Sequence, residues 1–292
     1  MDIGNSKTGM LLMTAAAASF TLMNVLVKLI GPEFHAIQIS FIRNLIAAFV
    51  LLPLLLYSGG VKVLKTQRFG THFWRGFLGV TGNILYFFSF QMLSVGYVSV
   101  ISQAVPVFVA VMAVFFLNER VGHRRWLAII IGFIGVIIAI NPSGTIEIAS
   151  LIAVLATVLW AATILLVRSL AITDNPFTIA FYFMVIGTIL AGALQPWYWQ
   201  EIPLNRLWLF IGVGLAGASG QLLMSYALKF AEASIVSPFN YTAILWAIIF
   251  DAIIWGFLPT WTTIVGATII TSAGIYIFRR EAIIKGKEKH IA

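Results

Sequence analysis

The chain is 292 residues long, 61% hydrophobic and only 10% charged, with a net charge of +8 and no cysteine. A water-soluble fold needs a wettable exterior and ordinarily carries about a quarter charged residues, so the solvent of this chain is lipid and no stretch is polar enough to form a soluble domain. Without cysteine there is no disulfide framework or thiolate metal site. The positive balance sits in loops of one membrane side, so it calls for no nucleic-acid partner.

A bilayer core about 30 Å thick takes roughly 20 apolar residues per helix. The first apolar run, 8–29, follows Lys7. It outruns a signal peptide and shows no small-residue cleavage site, so it reads as a retained helix. Runs near 36–57, 73–92, 96–117 and 124–141 complete a set of five, and 147–168, 177–197, 206–228, 234–256 and 260–278 form a second set. The connections are short, which makes sequential helices antiparallel neighbours. Alternate loops divide the cations unevenly. Fifteen fall on the side of the termini: Lys7, Lys62, Lys65, Arg68, Arg75, Arg120, Arg124, Arg125, Arg168, Lys229 and five between Arg279 and Lys289. The other side has Lys28 and Arg206, and Arg43 lies within a span. Lys and Arg favour the cytoplasmic side, so both termini are expected inside, in a bacterial inner membrane.

The chain repeats itself weakly. Gly76-Phe77-Leu78-Gly79 resembles Gly212-Val213-Gly214-Leu215 at an offset of 136, and the first and sixth helices end at Lys28 and Arg168, an offset of 140. The halves 1–141 and 147–280 each hold five spans, an odd number, so the second enters the membrane from the opposite face. Residues 281–292 read as a cytoplasmic tail. The expected fold is all-α and polytopic, with ten transmembrane helices in two inverted five-helix repeats. Inverted repeats typify secondary transporters, whose site lies near the midplane between the halves. Alternating access follows from the symmetry, because each half can adopt the conformation of the other.

Pro106 in span four is followed by an apolar run to Leu117-Asn118-Glu119-Arg120, then by Trp126 and by Gly132-Phe133-Ile134-Gly135-Val136, which closes span five. This progression resembles the drug/metabolite transporter superfamily, in particular its EamA-type ten-helix exporters, over essentially the whole chain and best in the first half. Thr242 stands where the repeat places the proline and Trp255 where it places the glutamate, so those roles do not carry across. The resemblance implies a cavity surrounded by spans one, three, four, six, eight and nine. It also implies export of amino acids or related compounds by uniport or proton exchange, with S-adenosylmethionine import or exchange as the alternative.

On those spans the polar and aromatic candidates for substrate binding are Ser19, Asn24, Asn83, Tyr86, Phe87, Gln103, Trp160, Thr163, Gln221, Ser225, Asn240 and Tyr241. An amide in hydrocarbon is costly without partners, so Asn83, Gln103, Gln221 and Asn240 are expected to face one another, water or ligand. A helix-to-helix hydrogen bond is the competing reading for each. Neutral amides, hydroxyls and aromatics suit a zwitterion better than a phosphate ester. Pro106 and Pro238 interrupt central helices, as static bends or as flex points for gates. Arg43 and Asp251 lie inside spans at similar depth from one face, about 10 Å and 8 Å at 1.5 Å per residue. One reading pairs them; the other has Arg43 capping carbonyls and Asp251 reaching the interface. Glu119, beside Arg120, Arg124 and Arg125, reads as a clip for the turn or as a gating charge.

Other features have plainer readings. The glycines of spans three and eight serve close helix packing. Residues 212–217 spell GxGxxG, but no strand precedes them and they lie mid-membrane, so they are no dinucleotide loop. Asn240-Tyr241-Thr242 matches a glycosylation acceptor inside a span, and Trp197, Tyr198 and Trp199 read as an interfacial belt. An enzyme would need a metal cluster, a nucleophile with its base, or paired carboxylates. His35, His72, His123 and His290 fall in loops or tail, and neither HExxH nor GxxxxGK[ST] occurs, so neither enzyme chemistry, ATP coupling nor a cofactor is expected. A channel or a purely structural membrane protein would lack exchange of labelled for unlabelled substrate. The expected partners are a small-molecule substrate, the lipid bilayer and, in the exchange variant, protons. The halves form a complete pathway within one chain, whatever its oligomeric state.

Overall fold

In lipid, every backbone N–H and C=O must be satisfied internally, which leaves helices as the form for apolar runs of this kind. A computed structural model describes residues 3–57, 60, 64–117, 123–140, 147–230 and 236–289. Among them there are helices and turns but no strands. The helices are α1 (Ile3–Ile30), α2 (Ala36–Tyr57), α3 (Phe69–Met92), α4 (Val95–Ser102), α5 (Val105–Leu117) and α6 (His123–Ile140), followed by α7 (Ile148–Leu170) and α8 (Pro176–Ala193). A short α9 (Gln195–Tyr198) precedes α10 (Leu207–Phe230); a 3₁₀ turn, Ser237–Tyr241, leads into α11 (Thr242–Trp255), and α12 (Trp261–Lys289) ends the chain. Six segments are long and apolar enough to cross a membrane by length and composition, and three shorter apolar stretches lie at Trp126–Ile140, Phe177–Ala193 and Trp261–Ile277. The 24-residue α3 makes the tenth rod, less apolar because it carries His72, Arg75 and Asn83.

The helix ends follow local chemistry. Asn175 caps α8 by accepting from the Phe177 N–H at 2.9 Å, with Pro176 at the first helical position, where a missing N–H is harmless. Gly256, at φ 68°, ends α11 in the left-handed conformation that glycine adopts freely.

The packing follows the inverted repeat. Span one (α1) lies against span eight (α10), and span three (α3) against span six (α7), the pair obtained by exchanging halves. Spans two and seven (α2, α8), four and nine (α4, α11), and five and ten (α6, α12) pack on their own equivalents. The contacts of α5 with α7, and of α1 with α11, are likewise exchanged by the pseudo-twofold. Together these contacts close a ring in the order one, eight, two, seven, three, six, four, nine. Spans five and ten pack on its four–nine side.

Glycines let this ring close. A Cβ on Gly76 would lie 2.5 Å from Ile186, on Gly214 2.6 Å from Ile46, and on Gly220 2.8 Å from Phe20, so side chains of the neighbouring spans seat directly on the glycine backbone. The ring's apolar layers hold Val27, Phe87, Val95, Ile101 and Phe210 in one cluster and Ala47, Leu51, Phe183 and Met184 in another. Outward-facing side chains such as Phe49, Leu151, Ile253 and Trp261 are exposed to the lipid.

The structure departs from the sequence reading at several places, one being His72, read as a loop residue but fully buried within α3. Span four is divided into α4 and α5 by a turn at Gln103 and Ala104, where the regular α-helical bonding lapses although Gln103 keeps right-handed helical dihedrals (φ −72°, ψ −4°). Arg75, counted among the loop cations, is buried inside α3. Arg43 and Asp251 form no pair, since each is held by other groups. Finally, α12 runs unbroken to Lys289 through the expected tail, since Ala, Glu and Lys are good helix formers.

Candidate functional site

Both helices on the pseudo-twofold at the four–nine pair are broken. In span four, Pro106 occupies the first turn of α5, so its absent N–H falls where the helix has none to satisfy. In span nine, Pro238 occupies the first turn of the 3₁₀ segment before α11. The interruptions meet: Gln103 is 7% exposed and its Nε2 donates to the Asn240 carbonyl at 3.3 Å. Carbonyls freed by broken helices are the groups that membrane carriers use to bind small polar cargo. Tyr241, next to this junction, presents a buried hydroxyl without a hydrogen-bond partner.

A second polar face runs along α3 where it meets α7. Gly82 allows close approach, its Cβ position lying 3.5 Å from the Ala156 carbonyl. Tyr86 donates to Thr157 Oγ1 at 2.8 Å, and Thr163 donates back to the Trp160 carbonyl at 2.7 Å. Asn83 is 8% exposed, and its Nδ2 has no partner.

Deeper in the ring, two guanidiniums converge on one ring of α8. The Cζ of Arg75 sits 3.8 Å from the Phe183 centroid and the Cζ of Arg43 sits 5.8 Å from it. Arg43 Nη1 donates to Asn44 Oδ1 at 2.8 Å and reaches Met184 Sδ at 3.6 Å. The Nε of Arg43 and the Nε and Nη1 of Arg75 are buried without partners. Among the described residues, no carboxylate pairs with either group.

The end of the bundle opposite the termini is clasped. Asp251, 3% exposed, accepts from the N–H of Val95 at 3.1 Å and of Gly96 at 2.6 Å, so span nine caps the start of span four. A carboxylate at a helix N-terminus is favoured both by those donors and by the helix dipole. Lys28 of span one donates to the Leu93 carbonyl and lies 5.1 Å from the Trp255 ring. Gln38 and Gln200 exchange two hydrogen bonds, Nε2 to carbonyl at 2.7 Å and N–H to Oε1 at 3.2 Å. Arg206 pairs with Glu33. A cavity of about 320 Å³ opens at this end between Tyr97, Glu147, Ser150, Asp251 and Thr260.

The sequence candidates thus separate. Asn83, Tyr86, Trp160 and Thr163 share the α3–α7 face, and Gln103, Asn240 and Tyr241 share the broken-helix junction with Pro106 and Pro238. Ser19 donates to the Ala216 carbonyl at 2.9 Å, a span one–eight contact, and Ser225 donates back to Gln221 at 2.8 Å on an exposed face. Asn24 is half-buried on α1. Phe87 is fully buried within an apolar layer, so it packs the ring wall. Glu119 lies outside the described residues. Arg75 and Phe183 were missed: six residues inside its helix, Arg75 reads as a loop cation, and Phe183 sits in an otherwise apolar run. The signal available was depth, because a cation that far into a span cannot readily reach water.

The profile described as the EamA-like transporter family matches residues 7–141 and 147–279. Among curated proteins, the chain is 28% identical to an S-adenosylmethionine uptake transporter of Rickettsia bellii, over 88% of this chain and 89% of that one. It is 30% identical to a riboflavin transporter of Vibrio cholerae, over 97% of each chain. It is 26% identical to a pseudopaline exporter of Pseudomonas aeruginosa, over 94% of this chain and 96% of that one. A solved structure, described only as the crystal structure of a protein, superposes with a TM-score of 0.64 at 13% identity. It covers 94% of this chain and 98% of that chain and supports the fold.

Proposed function

The chain belongs to the EamA-like transporter family, and we propose that it carries a small metabolite with an amino-acid head across the cytoplasmic membrane by alternating access between its halves. Being a small-metabolite transporter is the family's property; the amino-acid head, the outward direction and the cytoplasmic termini are this proposal. The observation that carries it is the junction of the two broken helices, where Gln103 of span four meets the Asn240 carbonyl of span nine inside a closed ring. Such a junction gathers backbone carbonyls and a side-chain amide from two spans, and a zwitterion needs both acceptors and donors. The Asp251 and Lys28 contacts tie spans one, four and nine together at the end opposite the termini, beside the cavity there.

The S-adenosylmethionine reading shares the amino-acid head and differs in the bulk behind it. The uptake transporter of Rickettsia bellii favours that reading. The riboflavin transporter of Vibrio cholerae shows that relatives of this size also handle a flavin. The deciding experiment is counterflow in proteoliposomes with labelled threonine, methionine, an aromatic amino acid, S-adenosylmethionine and riboflavin, with and without a pH gradient. Saturable exchange of one or more amino acids supports the proposal. Exchange of S-adenosylmethionine alone selects the second reading, and a pH-gradient effect adds protons to the cycle. Exchange of riboflavin alone would sink the amino-acid head.

A further inference from the structure

Every orphaned side-chain nitrogen among Arg43, Arg75 and Asn83 is a donor, and the two arginines carry positive charge. Asn83 is eight residues beyond Arg75 on α3, which places it on the same helix face about 12 Å further along. Nothing in the described neighbourhood supplies the missing acceptors. Asn44 Oδ1 and Met184 Sδ take Arg43 Nη1, and the Phe183 face meets both guanidiniums as a ring contact.

Packing does not account for these groups. Burying an unpaired charge costs several kcal/mol, and two like charges near one ring add repulsion. The repeat also shows that the fold manages without them. Helices α2 and α8 begin 140 residues apart, so the equivalent of Arg43 is Phe183 itself; the equivalents of Arg75 are Ile211 to Val213, which are uncharged. The positive pair is therefore peculiar to the first half. Gly217 preserves it from the neighbouring span eight, since a Cβ there would lie 3.0 Å from Arg43 Nε.

We propose that Arg43 and Arg75 form an oxyanion site for the transported metabolite, holding its carboxylate against Phe183 with the guanidinium edges left unpaired. Guanidinium is suited to this because its planar donors match the two oxygens of a carboxylate. The inference rests on the transport reading and names the charged group of its substrate.

The test is thermal unfolding of the purified full-length protein in detergent, with glutarate, acetate, inorganic phosphate or chloride at matched ionic strength. A ligand that binds only the folded state raises the unfolding temperature. Glutarate and acetate are expected to raise it above chloride. Arg43→Met and Arg75→Met should each abolish the rise, and Arg43→Lys and Arg75→Lys should weaken apparent binding by about tenfold. The Lys variants keep the readout available should a Met variant not fold. A rise with phosphate alone would overturn the carboxylate assignment, and so would a rise equal to that with chloride or one kept in the Met variants. Counterflow separates this from the function itself. Carboxylate binding without exchange of any metabolite sinks the transport reading and leaves the oxyanion site standing. Exchange that survives both Met substitutions does the reverse.

Discussion

Tyr241 reaches so far into α12 that a Cβ on Gly274 would lie 1.7 Å from its hydroxyl oxygen and 2.9 Å from Cζ. Gly274→Ala should therefore destabilise the protein in detergent by about 1–3 kcal/mol, the usual penalty of overpacking. Tyr241→Phe removes a buried hydroxyl that has no partner and should leave the unfolding temperature unchanged or raised; a clear drop would mean that the hydroxyl is satisfied. His35 sits in the loop before α2, where its Nδ1 accepts from the Ile37 N–H at 3.2 Å and its ring stacks 4.3 Å from Tyr198. Partial burial there holds its pKa below the ordinary histidine value of about 6.5. The neutral ring is thus the folded form. Its contribution is complete above the unfolded pKa and is lost as pH falls through the lower folded one. The unfolding temperature should decline from pH 7.5 to 5.5 more steeply than in His35→Asn, which keeps an acceptor but does not titrate; parallel profiles would remove this role. Residues of this kind were only half legible. Their types and depth can be read along the chain, but Tyr241 and Gly274 are 33 positions apart, and their contact follows from how spans nine and ten pack within the second half.

Asp251 shows what an element-level contact adds. Its carboxylate takes two N–H groups from the start of α4, so Asp251→Asn should lose about 1.5–3 kcal/mol of a charge-assisted bond. It should also loosen the end at which Lys28 holds the Leu93 carbonyl. Because the chain has no cysteine, a single Leu93→Cys reports on that end directly. Maleimide labelling of Leu93→Cys should quicken several-fold when Asp251→Asn is added, and an unchanged rate would sink the clasp. The sequence located Asp251 within its span but left open whether it pairs with Arg43 or reaches the interface, and its partners are instead the Val95 and Gly96 N–H groups. Depth is a one-dimensional quantity, whereas spans one and eight stand between Arg43 and Asp251 in the ring. Similarly, the apolar run of span four showed its proline but not the turn at Gln103, two residues upstream of α5. Ten spans and their alternation were legible because hydropathy and chain direction fix them without knowledge of neighbours.

For the whole molecule, the ring order makes a sharper prediction than any single side chain. If the four–nine junction must part and re-form for cargo to pass, tying it should stop turnover. A Gln103→Cys, Asn240→Cys pair oxidised to a disulfide should abolish counterflow and regain it on reduction, while each single variant keeps a measurable rate. Undiminished exchange in the oxidised pair would show that the junction is static. The pseudo-twofold itself was legible from an odd number of spans per half and the Gly76 and Gly212 segments. Its chemical asymmetry was not, because Arg75 resembles every other cation counted near the termini.

That asymmetry bears on energetics beyond binding. A carrier whose mobile core holds uncompensated positive charge moves that charge through the electric field whenever it reorients empty, and each elementary charge crossing the full field is worth about 2.3 kcal/mol per 100 mV. A bound carboxylate cancels part of it. If Arg43 and Arg75 hold the carboxylate as proposed and move with it, the empty return step would be the voltage-sensitive half of the cycle and the loaded step the quieter one, so the resting potential of the cell, through two side chains, would help set the pace of transport.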